Sequence, residues 1–214
     1  MATKGQELPI FELPVVLLPG ELLPLHIFEE RYKRMISRCI EVDEPFGIVL
    51  RDEDGSAHRV GCEARVSEVL ERFEDGRMNV LVEGERPFKV LDRYDASEFP
   101  AGEVEPIEAD RSPGEDAEGE GARAAFAALV RRVSGEPPDA EELAAVDSFE
   151  LASRVELPPP TKQRLLELRS ERQRMGVLDR AFRNLLETIE RSEEIAERAR
   201  MNGKVIVARA AGDG

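Results

Sequence analysis

Residues 60–82 read VGCEARVSEVLERFEDGRMNVLV. Val60, Cys62, Ala64 and Val66 alternate with Gly61, Glu63, Arg65 and Ser67, the period of two that gives a β-strand one apolar face. The alternation breaks near Glu68, where Val69 and Leu70 are adjacent, and one extra residue in a strand predicts a bulge. Asp75-Gly76 then precedes a second strand, Met78 to Val82, with the residue chemistry of a tight hairpin turn. Gly84 to Pro87 predicts a bend before a strand from Phe88 to Leu91. A further strand around Glu103 to Ile107 completes a small, strongly bent sheet, closed or nearly so.

Working back from residue 60, Asp54-Gly55 reads as a turn and Phe46 to Leu50 as a strand. Before them Tyr32, Met35, Ile36, Cys39 and Ile40 fall three and four apart, with Glu29, Glu30, Arg31, Arg34 and Arg38 between them. That spacing predicts an amphipathic helix laid against the sheet. Leu8 to Leu13 and Val15 to Leu18 are short apolar runs bounded by prolines. Because proline cannot donate to a sheet ladder, both are expected as kinked strands at an edge or rim.

Downstream the pattern changes. Residues 110–121 read DRSPGEDAEGEG, glycines and mutually repelling acids that predict a flexible connector. After it every period is helical: Ala122, Ala125, Phe126, Leu129, Val130 and Val133 form one stripe, ended by Gly135 and Pro137. Asp139 is placed to cap a further helix. Pro158-Pro159-Pro160 interrupts the next stripe, and Leu178, Phe182, Leu185, Leu186, Ile189 and Ile195 mark a long final helix, roughly 171–200. The chain is therefore expected to be α+β: a bent barrel lobe with one packed helix over 1–109, a linker over 110–121, a helical bundle over 122–202 and a frayed tail over 203–214.

Composition narrows the function. Among 214 residues, Lys and Arg number 30 against 45 Asp and Glu, a net charge of −15. Such a chain repels phosphate backbones and anionic lipid, and with 5% aromatics and no Trp it lacks stacking platforms, so neither nucleic acid nor membrane is an expected partner. The polar first residues do not open a signal peptide, and Leu13 to Leu25 is broken by three prolines, so a cytoplasmic location is expected.

Catalytic chemistry is thinly provided. The only histidines are His26 and His58, and His26 sits among apolar residues with no Ser or Cys nucleophile nearby in sequence. His58 and Cys62 are four apart on a strand, about 13 Å, too far to share a zinc ion. Lys33 and Ser37 share the polar face of a solvated helix, where neither is activated. No G-x-x-x-x-G-K-[ST] or G-x-G-x-x-G occurs. No catalytic, cofactor or metal site is expected.

Apolar surface remains: Leu17, Leu18, Leu22, Leu23, Leu25 and Ile27 are many for one small sheet face. They read either as core and lobe-to-lobe packing or as a groove that takes extended peptide. The same region carries a resemblance. Leu8-Pro9-Ile10-Phe11-Glu12-Leu13-Pro14, Leu18-Pro19-Gly20-Glu21, Leu23-Pro24-Leu25-His26-Ile27-Phe28 and then Glu29, Arg31 and Tyr32 resemble the opening of the Lon protease N-terminal, substrate-binding domain family. Phe46-Gly47-Ile48-Val49-Leu50, Val60-Gly61, Asp75-Gly76-Arg77, Val80-Leu81-Val82 and Glu83-Gly84-Glu85-Arg86-Pro87-Phe88 continue it in order.

The resemblance implies a PUA-like β-barrel followed by a helical bundle, in a stand-alone form without the ATPase and Ser–Lys protease domains of the full enzyme. It implies a non-catalytic adaptor or recognition module for exposed or unfolded protein segments, with a protease as a further partner. Its ligand surface is expected at Leu22, Leu23, Leu25, His26 and Phe28. Two alternatives stand beside it: an RNA-binding PUA-like module, and a small-molecule site in the cleft between the lobes.

Overall fold

The computed structural model describes residues 5–95, 99–108 and 119–210. Strands β1 (Gln6–Leu13) and β2 (Leu22–Ile27) precede helix α1 (Glu30–Val42). Strands β3 (Phe46–Arg51), β4 (Ala57–Arg72), β5 (Met78–Asp95) and β6 (Pro100–Pro106) follow. The sheet order is β2-β5-β4-β3-β1-β6, with β5 also pairing β6. That last pairing closes β5, β4, β3, β1 and β6 into a five-stranded barrel.

β5 makes the closure possible. Its 18 residues span about 60 Å, long enough to serve two sheets. Val90 to Asp95 face β6 in the barrel, whereas Met78 to Glu83 leave it and pair with β2. The first half of β5, the second half of β4 and β2 thus form a three-stranded arm. The bend expected at Gly84–Pro87 does not end the strand. A bulge absorbs it, since β4 steps from Glu63 to Ala64 while β5 steps from Arg86 to Gly84. Where one bulge was expected near Glu68 there are two, between Val66 and Glu68 and between Val69 and Glu71.

The barrel interior is a small separate core of Leu8, Ile10, Val49, Phe88, Val90 and Val104. Gly47 and Gly61 are needed there because a Cβ would stand 2.5 and 2.9 Å from the Phe88 ring. The other sheet face and α1 merge with the helical lobe in one continuous core. It runs from Leu17, Leu18, Met35, Ile36, Cys62 and Val80 to Leu165, Leu178 and Phe182. The polar member of the alternation, Glu63, is also fully buried. Its strand is covered on both faces, and Arg86 meets its carboxylate at 2.8 Å.

Val15 to Leu18 is a correction to the strand expected there. Prolines at both ends remove ladder donors, and the segment is a loop whose Val16, Leu17 and Leu18 are buried. Gly20, at φ 75, turns it into β2 and donates to the Gly84 carbonyl at 2.8 Å.

The helical lobe comprises α2 (Glu120–Ser134), α3 (Ala140–Ala145), α4 (Ser148–Ser153), α5 (Pro159–Glu167) and α6 (Glu171–Ala210). Asp139 caps α3 as its spacing suggests, accepting from the backbone N–H of Glu141 and Glu142 at 2.8 and 3.0 Å. Arg174 ties the lobe together through the Leu168 carbonyl and the Ser148 hydroxyl, each at 2.8 Å. α5 docks on the barrel, where Gln163 donates to the Val60 carbonyl at 3.2 Å and Lys162 pairs with Glu21. Two boundaries move: Glu120 and Gly121, expected in the linker, form the first turn of α2, and α6 continues to Ala210, past Gly203 where fraying was expected. A single glycine costs a helix about 1 kcal/mol, which flanking residues can offset. Linker residues 110–118 and tail residues 211–214 lie outside the described residues.

Candidate binding face on the three-stranded arm

Strand alternation sorts the five expected surface residues into two groups. Leu23 and Leu25 point inward with Ile27 and pack against the main core. Leu22, Pro24 and His26 point outward. Phe28 lies just past the strand and is 61% exposed, and Leu22 is 53% exposed. Leu17 and Leu18, by contrast, are buried, so that part of the apolar surplus is core.

Register builds the rest of the outer face. Leu22 stands opposite Glu83, Pro24 opposite Leu81 and then Glu68, and His26 opposite Asn79 and then Glu71. The last row is a hydrogen-bonded chain. Asn79 donates through Nδ2 to Glu71 Oε2 at 3.1 Å, which leaves its Oδ1 as acceptor, 2.7 Å from His26 Nδ1. His26 Nδ1 therefore donates to Asn79 Oδ1, and Nε2 is the ring nitrogen left without a protein partner. Its ring stacks on Phe28 at 5.9 Å and meets the edge of Phe73 at 6.1 Å. Two aromatic rings and one amide thus hold the imidazole in place at the open surface. Leu70, the unregistered residue between Val69 and Glu71 at a bulge of β4, is 51% exposed.

Periodicity alone did not bring Phe73, Asn79, Leu81 and Glu71 to this face. Each sits in a strand or turn that sequence could place, but the long β4–β5 hairpin had to be registered against β2 to join them. Along the outer edge of β2 no strand pairs among the described residues. Pro24 leaves that edge one donor short, which blunts it against strand addition.

Other sites offer less. His58, near the start of β4, contacts Asp52 of the preceding loop at 3.0 Å, at the opposite end of the strand from the rows that meet His26. Burial raises both thiols, Cys39 to about 11 and Cys62 beyond it, so neither is a nucleophile at neutral pH. Among the described residues no group of three His, Cys, Asp or Glu could hold a metal, and no helix is long and apolar enough to cross a membrane. A groove of about 560 Å³ lies inside the helical lobe between α2 and α3, lined by Arg123, Ala127, Pro138 and Leu143. It is neither between the lobes nor near His26.

A closed barrel with a sheet arm, backed by a helical bundle, is an architecture shared with solved Lon N-terminal domains. One is the crystal structure of a Lon N-terminal domain protein from Xanthomonas campestris, with a TM-score of 0.59 and 26% identity, covering 81% of this chain and 96% of that one. The N-terminal domain of the Mycobacterium avium complex Lon protease has a TM-score of 0.65 at 20% identity, covering 83% of this chain and 98% of that one, which speaks to fold alone. The chain belongs to the family of the ATP-dependent protease La (LON) substrate-binding domain, whose model matches residues 7–178. It is also 27% identical to the Lon protease of Paraburkholderia phytofirmans over 90% of its own length, and spans about a quarter, 26%, of that relative.

Proposed function

We propose that this chain is a recognition module that binds exposed or unfolded protein segments without catalysis of its own, as an adaptor or as the client-reading part of a proteolytic system. The observation that carries this reading is the outer face of the arm. Leu22 and Phe28 are large apolar side chains left more than half exposed, and Phe28 stacks on the imidazole that Asn79 holds. Contiguous exposed apolar side chains on a soluble domain mark contact surfaces. Their backing is rigid, since the opposite face of the same strands is packed into the main core. Membership of the substrate-binding domain family supports the same reading. The cytoplasm is the compartment proposed, from the charge and the two buried free thiols.

The test is binding of a permanently unfolded protein, such as a reduced and carboxymethylated one, to the wild type and to a Leu22→Asp/Phe28→Asp variant. Binding tighter than about 1 mM that the variant loses, with its melting temperature unchanged, is the expected result. No binding by the wild type overturns the reading.

A further inference from the structure

The outer face of the arm is apolar along β2, but its polar groups are of one kind. Glu83, Glu68 and Glu71 are registered opposite Leu22, Pro24–Leu81 and His26–Asn79, one carboxylate in each row. Glu68 and Glu83 have no ion-pair partner among the described residues, and Glu71 meets only the Asn79 amide. Three of the cations nearby are held by carboxylates, while Arg72, at the end of β4 in the row of Met78, is exposed. Arg65, registered opposite Glu83, is turned to Glu85 and Asp43 at 2.9 Å each. Arg77 pairs with Asp75 at 2.6 Å and covers the Phe73 ring, and Arg31 pairs with Glu29 at 3.1 Å. At the centre, His26 Nδ1 donates to Asn79 and Nε2 has no protein partner. The outward side chains registered along β2, β5 and β4 therefore offer apolar contact and carboxylate acceptors, one acid to each row.

We infer that the segment this face takes is an extended polypeptide whose apolar side chains are interspersed with lysine or arginine. This rests on the recognition role proposed above and specifies its substrate class. Leu22, Pro24, Leu81 and Phe28 take the apolar side chains, and Glu68, Glu71 and Glu83 take the cationic donors. Charge complementarity sets the choice among clients: an acidic segment meets three like charges, and a basic one meets three partners. The net charge of −15 draws basic segments from a distance and repels RNA.

Three labelled peptides of about 12 residues, with the same apolar residues and with lysine, serine or glutamate between them, test this by fluorescence anisotropy. They are titrated into the wild type, Leu22→Asp/Phe28→Asp and Glu68→Gln/Glu83→Gln, which leaves the Glu71–Asn79–His26 chain intact. The lysine peptide is expected to bind about tenfold tighter than the glutamate peptide, and the difference to shrink in the Gln variant and vanish in about 0.5 M salt. Equal binding of all three peptides, lost in the Leu22/Phe28 variant, overturns the charge preference and leaves the recognition role standing. No binding of any peptide overturns both. Lysine-peptide binding that survives Leu22→Asp/Phe28→Asp, or that single-stranded RNA displaces, places the basic ligand elsewhere and overturns the inference. Melting curves confirm that each variant is folded, and because Glu68 and Glu83 are exposed and unpaired their amides leave packing unchanged.

Discussion

Arg86 donates through Nε to Glu63 Oε2 at 2.8 Å, and the two side chains differ sharply in setting. The Glu63 side chain is 1% exposed and that of Arg86 is 51% exposed. The pair sits beside the bulge where β5 leaves the barrel for the arm, so it holds the rung at which the two sheets part. Replacing Arg86 with Met strands a buried carboxylate whose second oxygen already has no partner. A loss of about 2 kcal/mol is expected, below that of a fully buried pair because water reaches the Arg86 side. Urea unfolding of Arg86→Met and of Glu63→Gln/Arg86→Met measures it, and the double variant is expected to recover part of the loss.

Phe88 fills the barrel only because Gly47 and Gly61 leave it room. Gly47→Ala is expected to destabilise by about 1–3 kcal/mol through overpacking, and Phe88→Leu in the same chain to relieve it. A double-mutant cycle in urea reads the coupling directly.

The fold was legible where one rule governed one element. The α1 stripe, the Asp139 cap and the β4 bulges follow from local spacing, and Tyr32, Met35, Ile36 and Cys39 are buried as that spacing requires. Strand Val15–Leu18 failed because apolar content does not supply hydrogen-bond partners. β5 could not be seen as one strand because a bulge and a turn share the Gly-x-x-Pro signature. At the proposed binding face, Leu22, His26 and Phe28 were legible as an apolar cluster. Their separation from Leu23 and Leu25 follows from strand alternation, and their union with Asn79, Glu71 and Phe73 is a long-range register that no local pattern carries.

The outer face of the barrel sheet and the helical lobe share one core, whose members include Leu17, Leu18 and Cys62 as well as Leu165 and Leu166. A fragment of residues 1–109 would expose that face. It is expected to be unstable alone, and the whole chain to melt in a single transition with coincident near- and far-ultraviolet circular dichroism. Two separated transitions would contradict this.

Burial raises the Cys39 thiol to about 11 from its ordinary 9.0, and raises Cys62 further. The folded state therefore holds these protons more tightly than the unfolded state. Their contribution to stability is full below pH ~9 and falls as pH rises toward ~11. Both thiols are expected to resist a disulfide-exchange reagent at pH ~8 until denaturant is added, after which two equivalents react.

Asn79 fixes the His26 tautomer through its bond to Glu71. Asn79→Ala is expected to free the imidazole, so that ¹⁵N spectra no longer show the proton confined to Nδ1, and to weaken unfolded-protein binding about threefold by loosening the centre of the face.

A photo-crosslinking side chain placed at position 28 tests most directly whether the arm is the contact surface. The control is the same group at Val133, on the helical lobe, which is 76% exposed and so more open than Phe28. With an unfolded client protein, strong crosslinking from position 28 and little from position 133 is the expected result. Equal yields from the two positions, or a higher yield from 133, would contradict the assignment of the binding face to β2 and its neighbours.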